Sequence, residues 1–281
     1  MEPGKPSRTA MAAAGHRMIH QLVDRPIALA DPLAIKILGP PPPNAPDEST
    51  IRRHAAATGS MRAQVVGRSL LAEQTLTEAV ARGVDQYVLL GAGLDTFAYR
   101  NPHPHLRVFE VDNPDSSHWK RERLAANDIQ VPSNVSYAAI DFERETLGEA
   151  LFRAGFDMKR PAVFAWLGVT VYLSRDAILA TLKSVASMAS GSEIVFDYGE
   201  HHDSLPAELQ ARMQERMAAL AAIGEPWISF FKPPEMADLL DEAGFSHVED
   251  IDGHAINARW FAGRADGLMT TPRAHYVRAR V

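Results

Sequence analysis

The sequence predicts an α/β fold built on a doubly wound, mostly parallel sheet. From residue 86 onward, short apolar runs alternate with helical segments, as strands and crossover helices do in parallel sheets. The first run, residues 86–90, leads directly into Gly91 and Gly93, which is typical of a buried strand followed by a ligand-binding turn. The second run ends at Asp112, 19 residues after Gly93. Such sheets bind nucleosides with a glycine turn and a carboxylate about 20 residues later.

The composition is that of an ordinary globular protein, with 281 residues, 46% hydrophobic and 23% charged. Cysteine is absent, which excludes disulfides, thiolate metal sites and cysteine nucleophiles and fits a reducing cytoplasm. The net charge of −6 argues against nucleic acid as a partner. We see neither a secretory signal nor an apolar run of membrane-spanning length, so we expect a cytoplasmic protein without a membrane partner.

Helical sequence fills most of the chain before the first strand. Ser7 predicts the N-cap of a helix that reaches about residue 22, and Asp31-Pro32 predicts the start of a short second helix. The prolines of residues 39–46 predict an exposed loop. A longer helical segment follows, broken near Gly59 and ended by Gly83.

The chain is expected to form one structural domain with two parts. A helical N-terminal extension, residues 1–84, packs on a core of residues 85–281. The predicted strands of the core are residues 86–90, 106–112, 135–139, 162–166, 192–198, 247–251 and 275–279. The predicted helices between them are residues 116–127, 145–154, 174–189, 204–222 and 235–243.

The glycine turn favours some nucleosides over others. A dinucleotide site has a third glycine where this chain has Thr96, which argues against an NAD(P)-dependent oxidoreductase. Asp95 lies where a pyrophosphate would bind, and its charge would repel two phosphates. A zwitterionic ligand such as the methionine end of S-adenosylmethionine suits this loop better. A purely structural turn is the alternative, because Gly-x-Gly alone is weakly specific.

Several further motifs resemble one known family across nearly the full length of the chain. They are Ser7-Arg8-Thr9-Ala10, Asp31-Pro32-Leu33-Ala34, Leu90–Thr96, Phe109–Asp112, Trp166–Thr170 followed by Tyr172-Leu173-Ser174, and Gly224-Glu225-Pro226-Trp227. On these motifs, in this order, the chain resembles the leucine carboxyl methyltransferase family of class I S-adenosylmethionine-dependent methyltransferases. The resemblance is greatest to the bacterial branch linked to polyketide O-methylation.

The resemblance implies a Rossmann-like sheet of seven strands whose last strand is antiparallel. It also implies a helical cap inserted on the substrate side, at about residues 200–232. The implied cofactor is S-adenosyl-L-methionine. The implied activity is O-methylation of a small-molecule carboxylate or phenolic hydroxyl in polyketide-type secondary metabolism.

The resemblance assigns most of the cofactor site to the ends of the first two strands. Carried over by position, Gly91, Ala92 and Gly93 line the cofactor and Asp112 is the ribose-binding acid. Glu110 is a second candidate for the ribose, because alternation along a strand puts it on the same face as Asp112.

Four further cofactor contacts follow from the same resemblance. Asp141 and Phe142 come after the third strand and are placed beside the adenine. Arg68 matches an arginine that binds the methionine carboxylate, a role suited to its bidentate guanidinium. Arg8 is a candidate for a second contact of this kind.

The chain departs from the family pattern at three positions. Leu70 and Phe97 stand where arginine is common, and Leu167 stands where some members have an acid. These differences leave the substrate charge open, and they support an alternative in which a non-catalytic protein of the same fold keeps only the nucleoside pocket.

No residue stands out in the sequence as a catalytic base. Tyr198, His201 and His202 are weak candidates, because they lie at the end of the fifth strand, on the substrate edge of class I enzymes. Adjacent histidines point apart and have no partner at ligand spacing, so we expect no metal. A carboxylate acceptor needs no base, whereas a phenol benefits from one.

Aromatic residues are the candidates for the walls of the substrate pocket, with core packing as the alternative for at least half of them. They are Trp166, Tyr172, Trp227 and Phe230. A small-molecule substrate is the expected partner, and the oligomeric state stays open.

Overall fold

A computed structural model describes residues 7–40, 47–140, 145–203 and 205–281. Its centre is one seven-stranded sheet with helices on both faces. The strands are β1 Gln86–Leu90, β2 Arg107–Asp112, β3 Val135–Ala139, β4 Val163–Trp166, β5 Glu193–Tyr198, β6 His247–Asp252 and β7 His275–Arg280.

The sheet order is β3-β2-β1-β4-β5-β7-β6. Strand β1 pairs in parallel with β2 on one side and with β4 on the other. The chain therefore reverses its direction of travel through the sheet at β1, and ligands of doubly wound sheets bind beside this switch point at the carboxyl ends of the strands. Strand β7 is antiparallel to both β5 and β6, which confirms the predicted fold class.

Eleven α-helices are found in the described residues. They are α1 Arg8–Val23, α2 Leu33–Ile37, α3 Glu48–Ala57, α4 Gly59–Ala81, α5 Phe97–Arg100, α6 Pro114–Ala126, α7 Leu147–Arg153, α8 Arg175–Ala186, α9 Ala207–Ala222, α10 Pro233–Ala243 and α11 Gly253–Ile256. None of the helices in the described ranges is both long enough and apolar enough to cross a membrane.

Local chemistry sets the ends of these helices. The Ser7 hydroxyl accepts a hydrogen bond from the Ala10 N–H, which caps α1 at the predicted residue. Asn113 caps α6 in the same way, with Pro114 in the first turn. Gly244 ends α10 with φ 98°, a left-handed conformation that glycine adopts without strain.

The core consists of two main layers, one on each face of the sheet. On one face, β1, β2, β4 and β5 pack against α7, α8 and α10. On the other face, alternate residues of the same strands pack against α4, α5 and α11. Because both faces are covered, all five residues of β1 are buried, as its apolar sequence predicts.

The predicted elements are observed with small shifts at their ends, and the predicted break near Gly59 is the junction between α3 and α4 at Thr58. Four short elements were not predicted. They are α5, α11, a 3-10 turn at Thr170–Tyr172 and a π-helical turn at Asn257–Phe261. Elements of three to five residues are too short for a hydrophobic period to show. Most of the predicted proline loop lies outside the described residues.

Candidate functional site

A large cleft lies at the carboxyl ends of β1, β2, β4 and β5. Its volume is about 1210 Å³. The floor is the glycine turn after β1, and the walls come from α1, α4, α9 and the segment after α9. Single-ligand pockets usually occupy about 300–1,000 Å³, so this cleft has room for a cofactor and an acceptor together.

The glycine turn is held against the end of β2. The N–H groups of Gly91 and Ala92 both donate to the Val111 carbonyl, at 2.8 and 3.2 Å. Gly91 has φ +66°, and a Cβ there would lie 2.6 Å from the Val169 side chain. Gly93 has φ +43°. The turn therefore requires glycine for its conformation and for its close approach to the loop after β4.

Asp112, at the end of β2, faces the same turn. Its Oδ2 accepts a hydrogen bond from the Gly93 N–H at 2.6 Å, and its Oδ1 accepts one from the Asn113 N–H at 2.8 Å. Burial raises the pKa of Asp112, and these two N–H groups oppose the increase. Each carboxylate oxygen has a further lone pair, so Asp112 can also accept from ligand hydroxyls in the cleft.

Glu110 is on the same strand face as Asp112 but not in the cleft. Its carboxylate accepts from Lys120 Nζ at 2.8 Å and from the Tyr99 hydroxyl at 2.9 Å. The side chain is buried beneath α6, and burial raises its pKa. The structure thus gives Glu110 a packing role and leaves Asp112 as the acid that faces the cleft.

A buried ionic network supports the glycine turn from below, and sequence reasoning missed it. Asp31 accepts from Arg17 Nε at 2.9 Å and from the Thr96 hydroxyl at 2.5 Å. Arg17 also donates to the Leu94 carbonyl at 2.6 Å. Arg100 Nε lies 3.4 Å from Asp31. The N-terminal helices thereby hold the turn in place, and the acid of the Asp31-Pro32 motif was the signal for it.

The Asp95 carboxylate stabilises the turn through a hydrogen bond to the backbone. Its carboxylate accepts from the Phe97 N–H at 2.7 Å, as a capping residue does. Burial would raise the pKa of Asp95, but the charges of Arg17 and Arg100 outweigh it and hold the pKa below its usual value.

Arg68 reaches the cleft from α4. Its Nη1 donates to Asp197 Oδ2 at 3.1 Å, and Asp197 Oδ1 accepts from the Gly168 N–H at 2.6 Å. A Cβ at Gly168 would lie 2.5 Å from the guanidinium. No other hydrogen bond of Arg68 is formed within the described residues, so its other nitrogens can bind a ligand carboxylate. Asp197, an acid inside an apolar strand, is a second residue that sequence reasoning missed.

Besides Glu110, one predicted contact lies outside the cleft, and two cannot be placed. The Arg8 side chain is exposed and does not line the cleft, so the structure contradicts its predicted ligand role. Its backbone N–H instead donates to Glu225 at 2.8 Å, and the Thr9 N–H donates to the same carboxylate at 2.9 Å. Asp141 and Phe142 lie outside the described residues.

Three of the four predicted aromatic residues line the cleft, namely Tyr172, Trp227 and Phe230. Trp166 does not. Only 3% of it is exposed, and its ring packs in the core against Phe196 with centroids 6.0 Å apart. The prediction for Trp166 is therefore wrong, because alternation along β4 turns its side chain toward the helices beneath the sheet.

The predicted catalytic candidates are in three different settings. The Tyr198 hydroxyl donates to Asp250 at 2.5 Å, and burial together with this carboxylate raises the pKa of Tyr198, so it is not positioned as a base. His201 does not line the cleft and lies 3.6 Å from Glu235. His202 does line it.

His202 is the candidate base that the structure favours. Burial and the charge of Arg273 lower its pKa, so the ring is neutral at pH 7. Its Nε2 is buried and has no hydrogen-bond partner among the described residues. The ring packs edge-on against Phe230, with centroids 4.5 Å apart.

His16 and Arg216 line the cleft as well, and sequence reasoning missed both. Burial, with Arg62, Arg216 and Arg68, lowers the pKa of His16 to about 4. Its Nδ1 is buried and has no partner in the described part of the chain. The helical pattern around these residues did not indicate a ligand site, because a polar residue that faces a cleft and one that faces solvent both interrupt the apolar stripe of a helix in the same way.

The described residues contain no cluster of three histidines or carboxylates that could hold a metal ion. They offer a turn of two glycines and an alanine, an acid with free lone pairs and an arginine with free donors. This set fits a ribose and an amino-acid carboxylate.

Known proteins that are similar to this chain identify its family. The sequence model of the family described as leucine carboxyl methyltransferase matches residues 10–186. This chain belongs to the leucine carboxyl methyltransferase family. The matched range includes the Asp31 network, Arg68, the glycine turn and Asp112.

Two curated relatives of this leucine carboxyl methyltransferase family member are both named as S-adenosyl-L-methionine-dependent methyltransferases. A Bacillus subtilis (strain 168) protein, "Putative S-adenosyl-L-methionine-dependent methyltransferase YktD", is 31% identical over 76% of this chain and 71% of its own length. A Streptomyces avermitilis protein named in the same class is 30% identical over 91% of this chain and 88% of its own.

Solved structures show the same fold. A protein of Thermobifida fusca YX described as a "putative methyltransferase" has a TM-score of 0.58 at 18% identity, with 99% of this chain and 96% of that one covered. The S-adenosylmethionine-dependent methyltransferase SibL has a TM-score of 0.52 at 14% identity, with 95% and 69% covered. The predicted family, fold class and cofactor, S-adenosylmethionine, are thus confirmed at the level of the family.

Proposed function

We propose that this chain is an S-adenosylmethionine-dependent O-methyltransferase that acts on a small-molecule carboxylate or phenolic hydroxyl. The observation that carries the proposal is the pairing of Asp112 with Gly93 at 2.6 Å, which brings an acid and a turn with no side chain larger than a methyl group to one edge of a cleft large enough for two ligands. The name of the family, a carboxyl methyltransferase, supports oxygen as the acceptor atom.

The residues divide the work between two ends of the cleft. Asp112 would accept hydrogen bonds from the ribose hydroxyls of the cofactor, and Arg68 would bind its methionine carboxylate. Tyr172, Trp227 and Phe230 form apolar walls that orient the acceptor and exclude water. When bound, S-adenosylmethionine would supply a methyl carbon to which the acceptor oxygen bonds in line as the carbon–sulfur bond breaks, with S-adenosylhomocysteine as the leaving group.

The need for a proton acceptor depends on the acceptor group. A carboxylate, with a pKa near 4, is ionised at neutral pH and requires no base. A phenol, with a pKa near 10, transfers its proton to a neutral imidazole, and His202 supplies one at the cleft wall.

The wider setting follows from the resemblance of the motifs to the polyketide branch of the family. We assign the chain to polyketide-type secondary metabolism in the cytoplasm, with a small molecule as its partner rather than nucleic acid or a membrane. The net charge of −6 supports the exclusion of nucleic acid.

A labelled-methyl assay tests the proposal. The purified protein is incubated with methyl-labelled S-adenosylmethionine and a panel of aryl and alkyl carboxylates and phenols, and the label in the organic extract is counted. Treatment with alkali then releases label from methyl esters but not from methyl ethers, which separates the two acceptor groups.

We expect labelled ester or ether with wild-type protein and a large loss with Asp112→Ala. Cofactor binding without transfer to any oxygen acceptor would favour the non-catalytic alternative instead. Label on nitrogen or carbon would contradict the assignment of oxygen as the acceptor.

A further inference from the structure

We propose that the cap end of the cleft, the part lined by α9 and Trp227, binds an oxyanion on the acceptor through the Arg216 guanidinium and the Trp227 indole N–H. This inference rests on the methyltransferase function proposed above and deepens it. It predicts that the acceptor carries a negatively charged group. That group need not contain the oxygen that is methylated.

Arg216 is a cation without a counter-ion. It projects from α9 into the cleft, and no carboxylate pairs with it within the described residues. Although Arg216 is exposed as a whole, the protein around it lowers its pKa below the usual value. An unpaired guanidinium at the wall of a cleft is a favourable site for an anion.

The other charged side chains around the cleft contrast with Arg216. The cations Arg17, Arg68 and Arg273 each pair with an acid, as does Arg212 one turn away on α9. The acids that line the cleft likewise accept hydrogen bonds from arginines or backbone N–H groups, and they are Asp95, Asp112, Asp197, Glu200 and Glu225. Among the described residues, Arg216 is thus left for a ligand.

Trp227 supplies the second donor. Its ring lies under the Arg216 guanidinium, with the guanidinium carbon 4.9 Å from the ring centroid, which holds the cation over an aromatic face. The Trp227 Nε1 is buried and has no acceptor among the described residues. Because an indole N–H can only donate, its partner must be a hydrogen-bond acceptor.

His16 places a third polar group near this pair. The charge of Arg216 contributes to the low pKa of His16, so the two side chains lie close enough to interact. The buried Nδ1 of His16 also lacks a partner in the described ranges. The cation and the indole donor line one cleft with this imidazole, and a cation beside a donor matches an oxyanion better than a neutral or cationic group.

The test uses three naphthalene probes that differ in charge, the carboxylate, the sulfonate and the neutral carboxamide. Each is titrated into protein saturated with S-adenosylhomocysteine, and the dissociation constants are compared. Because S-adenosylhomocysteine has no methyl group to transfer, all three titrations report binding without reaction, and the sulfonate tests whether any anion is accepted in place of a carboxylate.

The variants are Arg216→Met, Arg216→Lys and Trp227→Phe. The matched control is Arg153→Met. Arg153 ends helix α7, does not line the cleft, and pairs with Glu145. Circular dichroism of each variant verifies folding before the titrations. A titration with S-adenosylhomocysteine alone tests the proposed function independently.

We expect wild-type protein to bind both anions about tenfold more tightly than the carboxamide, the scale of one charge-assisted hydrogen bond. Arg216→Met should abolish that preference, Arg216→Lys should keep part of it, Trp227→Phe should reduce it, and Arg153→Met should leave it unchanged.

Equal binding of the three probes, a preference that survives Arg216→Met, or no binding of the anions at millimolar concentration would each overturn the anion site. If wild-type protein does not bind S-adenosylhomocysteine, the proposed function is overturned instead. In that case, the probes are titrated into the ligand-free protein.

Discussion

The two ends of the cleft differ in how their polar groups are held. At the end formed by the glycine turn, Asp112, Asp31 and Arg17 have partners within 3.0 Å, supplied by elements far apart in the sequence. At the cap end, α9 has no buried residue, and Arg216 has no counter-ion in the described part of the chain. Binding of the same cofactor in every turnover is favoured by polar groups that the protein already holds in place. Binding of the acceptor is favoured by polar groups that have no partner within the protein.

The comparison predicts unequal effects on stability. Asp31→Ala removes the acid that neutralises Arg17 and leaves that buried guanidinium without a counter-ion, with only the Leu94 carbonyl as a partner among the described residues. We expect a loss of about 3–5 kcal/mol in the free energy of unfolding, measured by urea denaturation. Arg216→Met, at the cap end, should change it by less than about 0.5 kcal/mol. Similar losses for the two variants would remove the distinction between the ends.

A second prediction concerns the space around Arg68. Gly168→Ala places a Cβ 2.5 Å from the guanidinium and forces an alanine into φ +71°. Arg68 must move, so we expect at least about tenfold weaker binding of S-adenosylhomocysteine, the cost of one charge-assisted hydrogen bond. Calorimetric titration measures it.

Gly148→Ala is the matched control for that substitution. This glycine lies in α7, and a Cβ there would meet only the end of Met158 at 3.7 Å. Its affinity for the cofactor product should equal that of wild type. An unchanged affinity in Gly168→Ala would show that Arg68 does not bind the ligand.

The pH dependence of cofactor binding tests the environment of Asp112. Burial raises its pKa, so as the pH falls the carboxylate is protonated earlier than an exposed aspartate, whose pKa is about 3.9. Binding that needs the carboxylate is present above the raised pKa and is lost as the pH falls through it. We expect the affinity to weaken on acidification while the circular dichroism spectrum is still native.

Asp112→Asn separates this titration from those of other groups. The amide does not ionise, so the acid-dependent part of the affinity change should disappear in the variant. The same pH profile in both proteins would show that another group is responsible.

The smallest expected effect concerns the contact between the two ends. Glu225, which follows α9, accepts from the N–H groups of Arg8 and Thr9 at the start of α1. Glu225→Gln weakens these charge-assisted bonds by about 0.5–1.5 kcal/mol. Hydrogen exchange at the two amides should then accelerate by roughly threefold to tenfold.

Glu149→Gln serves as the control for exchange, because this exposed glutamate caps α7 away from the cleft. It should leave the Arg8 and Thr9 amides unchanged. Unchanged exchange in Glu225→Gln itself would mean that the carboxylate does not hold the start of α1.

The end of the cleft formed by the glycine turn, the proposed cofactor end, was largely predictable from the sequence, because its signals are local. The apolar run of β1, the glycines that follow and the acid at the end of β2 are short-range features with known geometry. The choice between Glu110 and Asp112 was not predictable, since both lie on one face of β2. The structure separates them because Lys120 and Tyr99 are within reach of Glu110 only.

The acceptor end was less predictable, because its groups come together only through the fold. Nothing in the sequence distinguishes Trp166 from Trp227, yet Trp166 packs in the core and Trp227 lines the cleft. His16 and Arg216 are separated by most of the chain, and no periodicity links a residue of the first helix to one of the ninth. Arg8 matched a motif, but it is the backbone of that motif that makes the contact.

The most direct test of the account is a calorimetric titration of wild-type protein and Asp112→Ala with S-adenosylhomocysteine. We predict micromolar binding by wild type and roughly tenfold to hundredfold weaker binding by the variant, the range for hydrogen bonds to a charged group. No binding by wild type, or equal affinity in the two proteins, would contradict the assignment of this edge of the sheet as the cofactor site.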